Sequence, residues 1–299
     1  MHDPAGLARL LADAGYFADT GVATAAYLAL ALPRPLFLEG EAGVGKTSLA
    51  HALAQVVGAE LLRLQCYEGI DASQALYDWD FPRQLLHLRA AESAGAADDP
   101  DRLEAEVYSR RFLLARPLLA ALETTPSVLL VDEVDRADDE FEAFLLEVLS
   151  DYTVTVPELG TVHADVPPVV VVTSNRTREV HDALKRRCLY HWVEHPELDR
   201  EAAIVRARVP EASAELAAQV ARTVAVLRGQ DLLKPPGVAE TIDWTQALVA
   251  LGAERLDADV ATATLGAVLK YREDQLHATR LDVQQQLSAA MFGGRLGGA

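Results

Sequence analysis

The stretch "LFLEGEAGVGKTSLAHAL", residues 36–53, decides how this chain is read. Apolar "LFLE" has the look of a buried strand, and "TSLAHALAQVVG" spaces its apolar residues as a helix does. Between them "GEAGVGKT", Gly40 to Thr47, satisfies G-x-x-x-x-G-K-[ST] at every fixed position. Gly40, Gly43 and Gly45 let the backbone wrap closely around phosphate. The N–H groups of a loop built from Gly40, Glu41, Ala42, Gly43, Val44, Gly45, Lys46, Thr47 and Ser48 point inward at negative oxygens. Lys46 is expected to bridge the β- and γ-phosphates of ATP, and the Thr47 hydroxyl to reach Mg²⁺. The helix that follows turns its positive N-terminal end to the same charge.

Three further groups stand downstream at strand or helix ends. "VLLVDEVD" (128–135) is an apolar strand that ends in Asp132-Glu133, two carboxylates at the carboxyl edge of a sheet. Asp132 suits the Mg²⁺ shell, and Glu133 can orient and polarise an attacking water. "VVVVTSN" ends in Asn175, the only asparagine in the chain, whose amide can hydrogen-bond the γ-phosphate and the lytic water. "ALKRRCLY" carries Arg186 and Arg187 at a helix end, where basic residues also offset the helix dipole. An arginine there can complete a neighbouring subunit's site by stabilising transition-state charge.

The order of elements gives the fold class. Strand-like and helical segments alternate up to about residue 195, and from Pro196 onward only helices follow, over 197–208, 212–228, 238–252 and 256–275. This predicts an α/β domain over 1–195, with a parallel five-stranded sheet between helices, and an all-helical lid domain over 196–299. A helical segment over about 5–31 precedes the first strand. "YTVTVPELGTVHAD" reads as a β-hairpin, and "AAESAGAADDPDRLEAE" (90–106) as an exposed helix–loop.

Composition narrows the partners. The 299 residues carry 27 Lys+Arg against 45 Asp+Glu, a net charge of −18, which speaks against a surface built to hold nucleic acid. Cys66 and Cys188 are too few for a disulfide framework or a metal set, and reduced, cytoplasmic surroundings are expected. The N-terminus shows no signal-peptide pattern. "GVATAAYLALAL" is too short to span a membrane, which takes about 20 residues.

Phosphate loop, Asp-Glu, Asn and Arg-Arg, in that order before a helical lid, resemble the AAA+ ATPase superfamily over about residues 20–275. Four stretches are similar to its MoxR branch, CoxD-like type: "RLQCYEGIDASQALYDWDFPRQLL" (63–86), "DEVDRADDEFEAFLLEVL" (132–149), "TSNRTREVHDALKRRCLYHWVEHP" (173–196) and "GAVLKYREDQ" (266–275). The resemblance implies a homo-oligomeric, hexameric ring with ATP at subunit interfaces. It implies a helix-2 insert at about 68–87 and a pre-sensor hairpin at about 152–164, both facing the channel or top of the ring. It also implies a VWA-domain partner and a metalloenzyme client such as a molybdenum–copper CO dehydrogenase, whose maturation the ATPase assists. One departure stands out: "KPPGVAETIDWTQAL" (234–248) lacks the Gly-x-Arg of a second sensor and has Glu240 or its neighbours in the expected place, which leaves either Arg222, Arg228 or Lys234 as a substitute or a lid that senses nucleotide differently. Tyr77, Trp79 and Phe81 alternate within "ALYDWDF" and either grip a client or pack on their own domain.

Two other classes compete. A nucleic-acid motor or clamp loader uses the same fold but lacks support from the charge balance. A small-molecule phosphoryl transferase leaves Asn175, the arginine pair and the helical tail without roles. A guanine-reading Asn-Lys-x-Asp is impossible, because the sole asparagine precedes Arg176.

Overall fold

A computed structural model of the protein describes residues 3–93 and 100–292. The chain opens with α1 (Pro4–Asp13), α2 (Thr20–Ala31), β1 (Leu36–Glu39), α3 (Lys46–Val57) and β2 (Glu60–Gln65). Next come α4 (Ala72–Leu76), β3 (Tyr77–Trp79), α5 (Phe81–Ser93), α6 (Pro100–Val107), β4 (Leu113–Ala115) and α7 (Pro117–Glu123). Then follow β5 (Ser127–Asp132), α8 (Asp139–Asp151), β6 (Thr153–Val156), β7 (Gly160–His163), β8 (Val169–Ser174), α9 (Asp182–Arg187) and β9 (Leu189–Trp192). Helices complete the described chain: α10 (Leu198–Arg208), α11 (Ala214–Arg228), α12 (Val238–Ala250), α13 (Ala258–Val268), α14 (Arg272–Ala278) and α15 (Leu281–Phe292).

The residues fall into two compact units. The first comprises residues up to Leu7, Thr20–Glu39 and Ala50–His191; the second comprises Ala8–Asp19, Gly40–Leu49 and the chain from Trp192 onward.

A five-stranded parallel sheet in the order β2-β5-β8-β1-β9 organises the first unit, as expected. Every residue of β5, "SVLLVD", is buried, which suits an inner strand covered on both faces. Register aligns Gln65 with Asp132 and Glu39 with Ser174, so four strands end along one edge. In open parallel sheets that carboxyl edge is where ligands bind. Phe37, Leu129, Val131, Val170 and Val172 face one side and pack with Leu118, Leu119 and Leu122 of α7 and Phe141 and Leu145 of α8. The expected hairpin is present: β6 pairs antiparallel with β7, Val154 opposite Val162. The alternation in "ALYDWDF" also marks a strand, but β3 pairs with the distant β4, Tyr77 opposite Ala115. Cys66 and Cys188 are buried free thiols.

The second unit has its own core of Val220, Val224, Leu227, Trp244, Leu248, Leu265 and Leu287. Trp244 is fully buried, and its indole N–H donates to the Thr264 hydroxyl at 2.7 Å, so no donor is left unmet.

Three expectations are corrected. The N-terminal helix is two helices: Gly15 at φ +79 and the bonds Gly15 N–H to Ala12 O and Tyr16 N–H to Leu11 O close α1. The lid segment 256–275 is also two helices. Leu269 and Tyr271 are extended, yet Leu265, Val268 and Leu269 are all buried, so the apolar spacing runs through the break unmarked. Beyond it α15, anchored by buried Val283 and Leu287, was not foreseen. The loop expected within 90–106 falls largely on residues 94–99, outside the described residues. Among the described residues no helix is long and apolar enough to cross a membrane.

Candidate active site

The phosphate loop lies in the second unit and leaves β1 directly. Gly43 and Gly45 take φ of +79 and +97, a backbone that L side chains rarely adopt, so the loop's curl depends on those glycines. Lys46 opens α3 and is 6% exposed. Its ammonium donates to the carbonyls of Gly40 and Glu41, both at 2.7 Å, so the loop closes upon its own cation. Thr47 is partly buried, and Ser48 and Glu41 are exposed.

The acidic pair, Asn175 and their partners lie in the first unit. Asp132 is buried and fully engaged: its Oδ1 accepts the Thr173 hydroxyl at 2.6 Å, and its Oδ2 accepts Arg63 Nη2 at 2.6 Å and Nε at 3.0 Å. Glu133 takes φ 56, ψ 50, a left-handed conformation that costs about 1–3 kcal/mol and persists only where its surroundings enforce it. They do so here. Its N–H donates to Thr173 Oγ1 at 3.0 Å, and its carbonyl accepts the Arg136 N–H at 3.0 Å. The carboxylate is thereby aimed along the sheet edge. There it accepts the Asn175 amide (3.1 Å), the Gln65 amide (3.1 Å) and Arg136 Nε (2.9 Å).

Asp135 fixes the segment that presents Asn175. It is 2% exposed and accepts the N–H of Asn175 (3.1 Å), the N–H of Thr177 (2.8 Å) and the Thr177 hydroxyl (2.6 Å). Burial works against its charge, but these three bonds outweigh it and hold the carboxyl below its ordinary range. Glu142 of α8, 1% exposed, ties down the next stretch by accepting the His181 N–H at 2.7 Å and the Arg178 guanidinium.

Arg186 and Arg187 end α9 and are exposed, and among the described residues neither side chain is in an ion pair. Their carbonyls accept Arg34, at 3.1 Å for Arg186 and 3.1 and 3.3 Å for Arg187. The guanidinium of Arg34 thus caps the helix, leaving the two arginine side chains to reach outward.

The structure brings Glu133 and Asn175 together at one sheet edge, and it adds Arg63, Gln65, Asp135 and Thr173, which the sequence reading missed. A signal was available for one of them. Thr173 follows directly on the apolar run Val169–Val172, at the end of β8. The Asp132 carboxylate and, in the other unit, the Thr47 hydroxyl are each an oxygen donor of the chemical kind that Mg²⁺ takes. Among the described residues no cluster of three or more His, Cys, Asp or Glu could hold a metal by itself. Of the substitutes for a second sensor, Arg228 is locked in a bidentate pair with Glu201, and Arg222 Nε donates to Ala290 O at 3.1 Å.

Sequence comparison with curated proteins returns no match. Among solved structures the chain is similar to the RuvB Holliday junction branch migration motor of Thermotoga maritima, at 16% identity and a TM-score of 0.45. That likeness covers 81% of this chain and 65% of the RuvB chain. A point mutant of that RuvB gives 16% identity and a TM-score of 0.49, over 82% of this chain and 67% of its own. The model of the AAA domain, dynein-related subfamily, matches residues 35–188, just over half of the sequence. The chain therefore belongs to the dynein-related subfamily of AAA domains and is an ATPase by class.

Proposed function

We propose that the protein is a MoxR-type remodelling ATPase: it hydrolyses ATP with Mg²⁺ in its 1–195 domain and passes the change to its helical lid and to a protein partner. The observation that carries the hydrolytic part is the Glu133 carboxylate, held in a left-handed backbone conformation with the Asn175 amide on one oxygen. A carboxylate so held is a general base for water, and an adjacent amide can align that water.

In this reading Lys46 and the N–H groups of Gly40–Ser48 bind the phosphates, while Thr47 and Asp132 hold Mg²⁺, which would offset phosphate charge when bound. Glu133 takes the proton from water as the water attacks. Asn175 orients it. Arg186 or Arg187, exposed at the end of α9, completes the site of the next copy in a homo-oligomeric ring, a hexamer as in relatives of this type.

Support for the MoxR, CoxD-like assignment comes from the four sequence stretches and from two elements of the first unit, the β6–β7 hairpin and the α4–β3–α5 insert after β2. A VWA-domain partner, a metalloenzyme client of the molybdenum–copper CO dehydrogenase kind and a cytoplasmic setting follow from that assignment. The net charge of −18 favours a protein client over nucleic acid. The test is phosphate release from Mg-ATP with and without DNA, together with capture of partners on a slowly hydrolysed ATP analogue. Recovery of a VWA-domain protein is the expected result. Strong stimulation by DNA would replace this reading with a nucleic-acid motor.

A further inference from the structure

We propose that Gly237 and Arg228 are positioning residues that hold the phosphate loop at Gly43 through the main chain of α12, at the place where a Gly-x-Arg would offer a side chain. The inference rests on the reading of Gly40–Ser48 as a nucleotide loop, and every contact in it lies within the second unit.

The contact itself is backbone to backbone. The Val238 N–H donates to Gly43 O at 3.0 Å, with Ala239 N–H at 3.4 Å. Gly237 is glycine because of space, since its φ of −83 suits any residue. A Cβ there would lie 2.7 Å from Ala42 O and 2.9 Å from Gly43 Cα, closer than atoms can stand. The consequence for the loop follows from peptide planarity. In a trans peptide the carbonyl and the next N–H point to opposite sides. Pinning Gly43 O to α12 therefore turns the Val44 N–H away from α12. A phosphate loop works only if such N–H groups converge on the anion.

An ion cluster fixes the α12 start that does the pinning. Arg228, at the end of α11, binds Glu201 of α10 through both guanidinium arms, at 2.6 and 2.7 Å, and donates Nε to Pro236 O at 2.6 Å. Glu201 is fully buried, and it also accepts the Thr241 hydroxyl at 2.6 Å. That hydroxyl reaches Gly237 O at 3.0 Å. Arg228 thus holds the residue before Gly237, and Glu201 holds the first turn after it. A buried pair this well bonded fixes geometry, and removing one partner strands the other's charge. The absence of Gly-x-Arg is then no loss of coupling, because the lid helix meets the loop through its own N–H groups.

The experiment compares the parent with Gly237→Ala, Arg228→Lys and the charge-free pair Arg228→Gln/Glu201→Gln, the last guarding against a single variant that fails to fold. Binding of a fluorescent ADP analogue, turnover, thermal unfolding and hydrogen exchange of segment 40–49 in nucleotide-free protein are measured. Gly237→Ala should melt as a folded protein, weaken ADP by about tenfold or more and speed exchange over 40–49, with turnover at saturating ATP changed much less. Arg228→Lys should lie between the parent and the double variant. Gly237→Ala that binds ADP as tightly as the parent, with unchanged exchange, overturns the proposal. A parent that binds no nucleotide while the variants still loosen 40–49 overturns the nucleotide reading and leaves the clamp standing.

Discussion

The Asn175 side-chain amide donates to Glu133 Oε1 at 3.1 Å, so the only asparagine in the chain rests on the residue assigned as base. Glu133→Gln removes the proton acceptor and keeps the shape. ATP binding should persist, and phosphate release should fall by about 10²-fold or more, the range of a lost general base. Equal turnover in the variant and the parent would sink the assignment.

What could be read beforehand followed from patterns that one residue type controls. Gly-Lys-Thr spacing, the apolar run Val128–Val131 of β5 and the sole asparagine each pointed to their places without knowledge of a partner. Arg63 and Gln65 were illegible for the opposite reason. Their meaning depends on β2 pairing with the distant β5, Gln65 opposite Asp132, and nothing local distinguishes them from any polar residue on an edge strand. The break at 269–271 was hidden because packing continues where the helix stops.

Arg63 places a cation on Asp132 Oδ2, the atom a metal shell would use. Arg63→Ala should therefore lower the Mg²⁺ concentration that supports half-maximal turnover. Mn²⁺ binding followed by electron paramagnetic resonance gives a second readout that does not depend on activity. An unchanged metal dependence would mean that Arg63 leaves Asp132 freely when the ion binds.

Asp135→Asn keeps size and loses the charge that accepts three bonds from Asn175 and Thr177. Buried acceptors of this kind are worth about 1–3 kcal/mol when a partner is left unsatisfied, so the urea midpoint should drop by a corresponding amount. Because the folded carboxyl sits below its ordinary range, its contribution is present above about pH 4 and is lost as pH falls through the folded value. The gap between the variant and the parent should accordingly narrow as pH falls below about 4. A constant gap at all pH values would show that the loss is one of shape.

His195 titrates the other way. Burial first, and the charge of Arg228 second, lower its pKa from the ordinary 6.5, against the pull of Glu201, Glu41 and Glu194. Its Nδ1 is buried with no hydrogen-bond partner among the described residues. The unfolded chain therefore takes up the proton first as pH drops below about 6.5, and folding weakens through that window. Urea midpoints at about pH 7.5 and 5.5 should differ more in the parent than in His195→Gln.

The exposed ends of α9 give the last test. Arg186 and Arg187 reach outward while Arg34 satisfies the helix carbonyls behind them, so losing either side chain should leave α9 in place. If one of them serves a neighbour's γ-phosphate, Arg187→Ala should bind ATP normally yet hydrolyse it about 10³-fold more slowly, the scale of a missing arginine in phosphoryl transfer. Lys46→Ala should fail at binding. Mixed in one preparation, each variant lacks what the other has: Lys46→Ala subunits keep the arginine, and Arg187→Ala subunits keep the loop. Turnover should therefore rise above that of either variant alone, reaching a maximum near equal proportions. No recovery at any ratio would place the arginine's effect within its own chain, and repeating the mixture with Arg186→Ala tells which of the two acts across the interface.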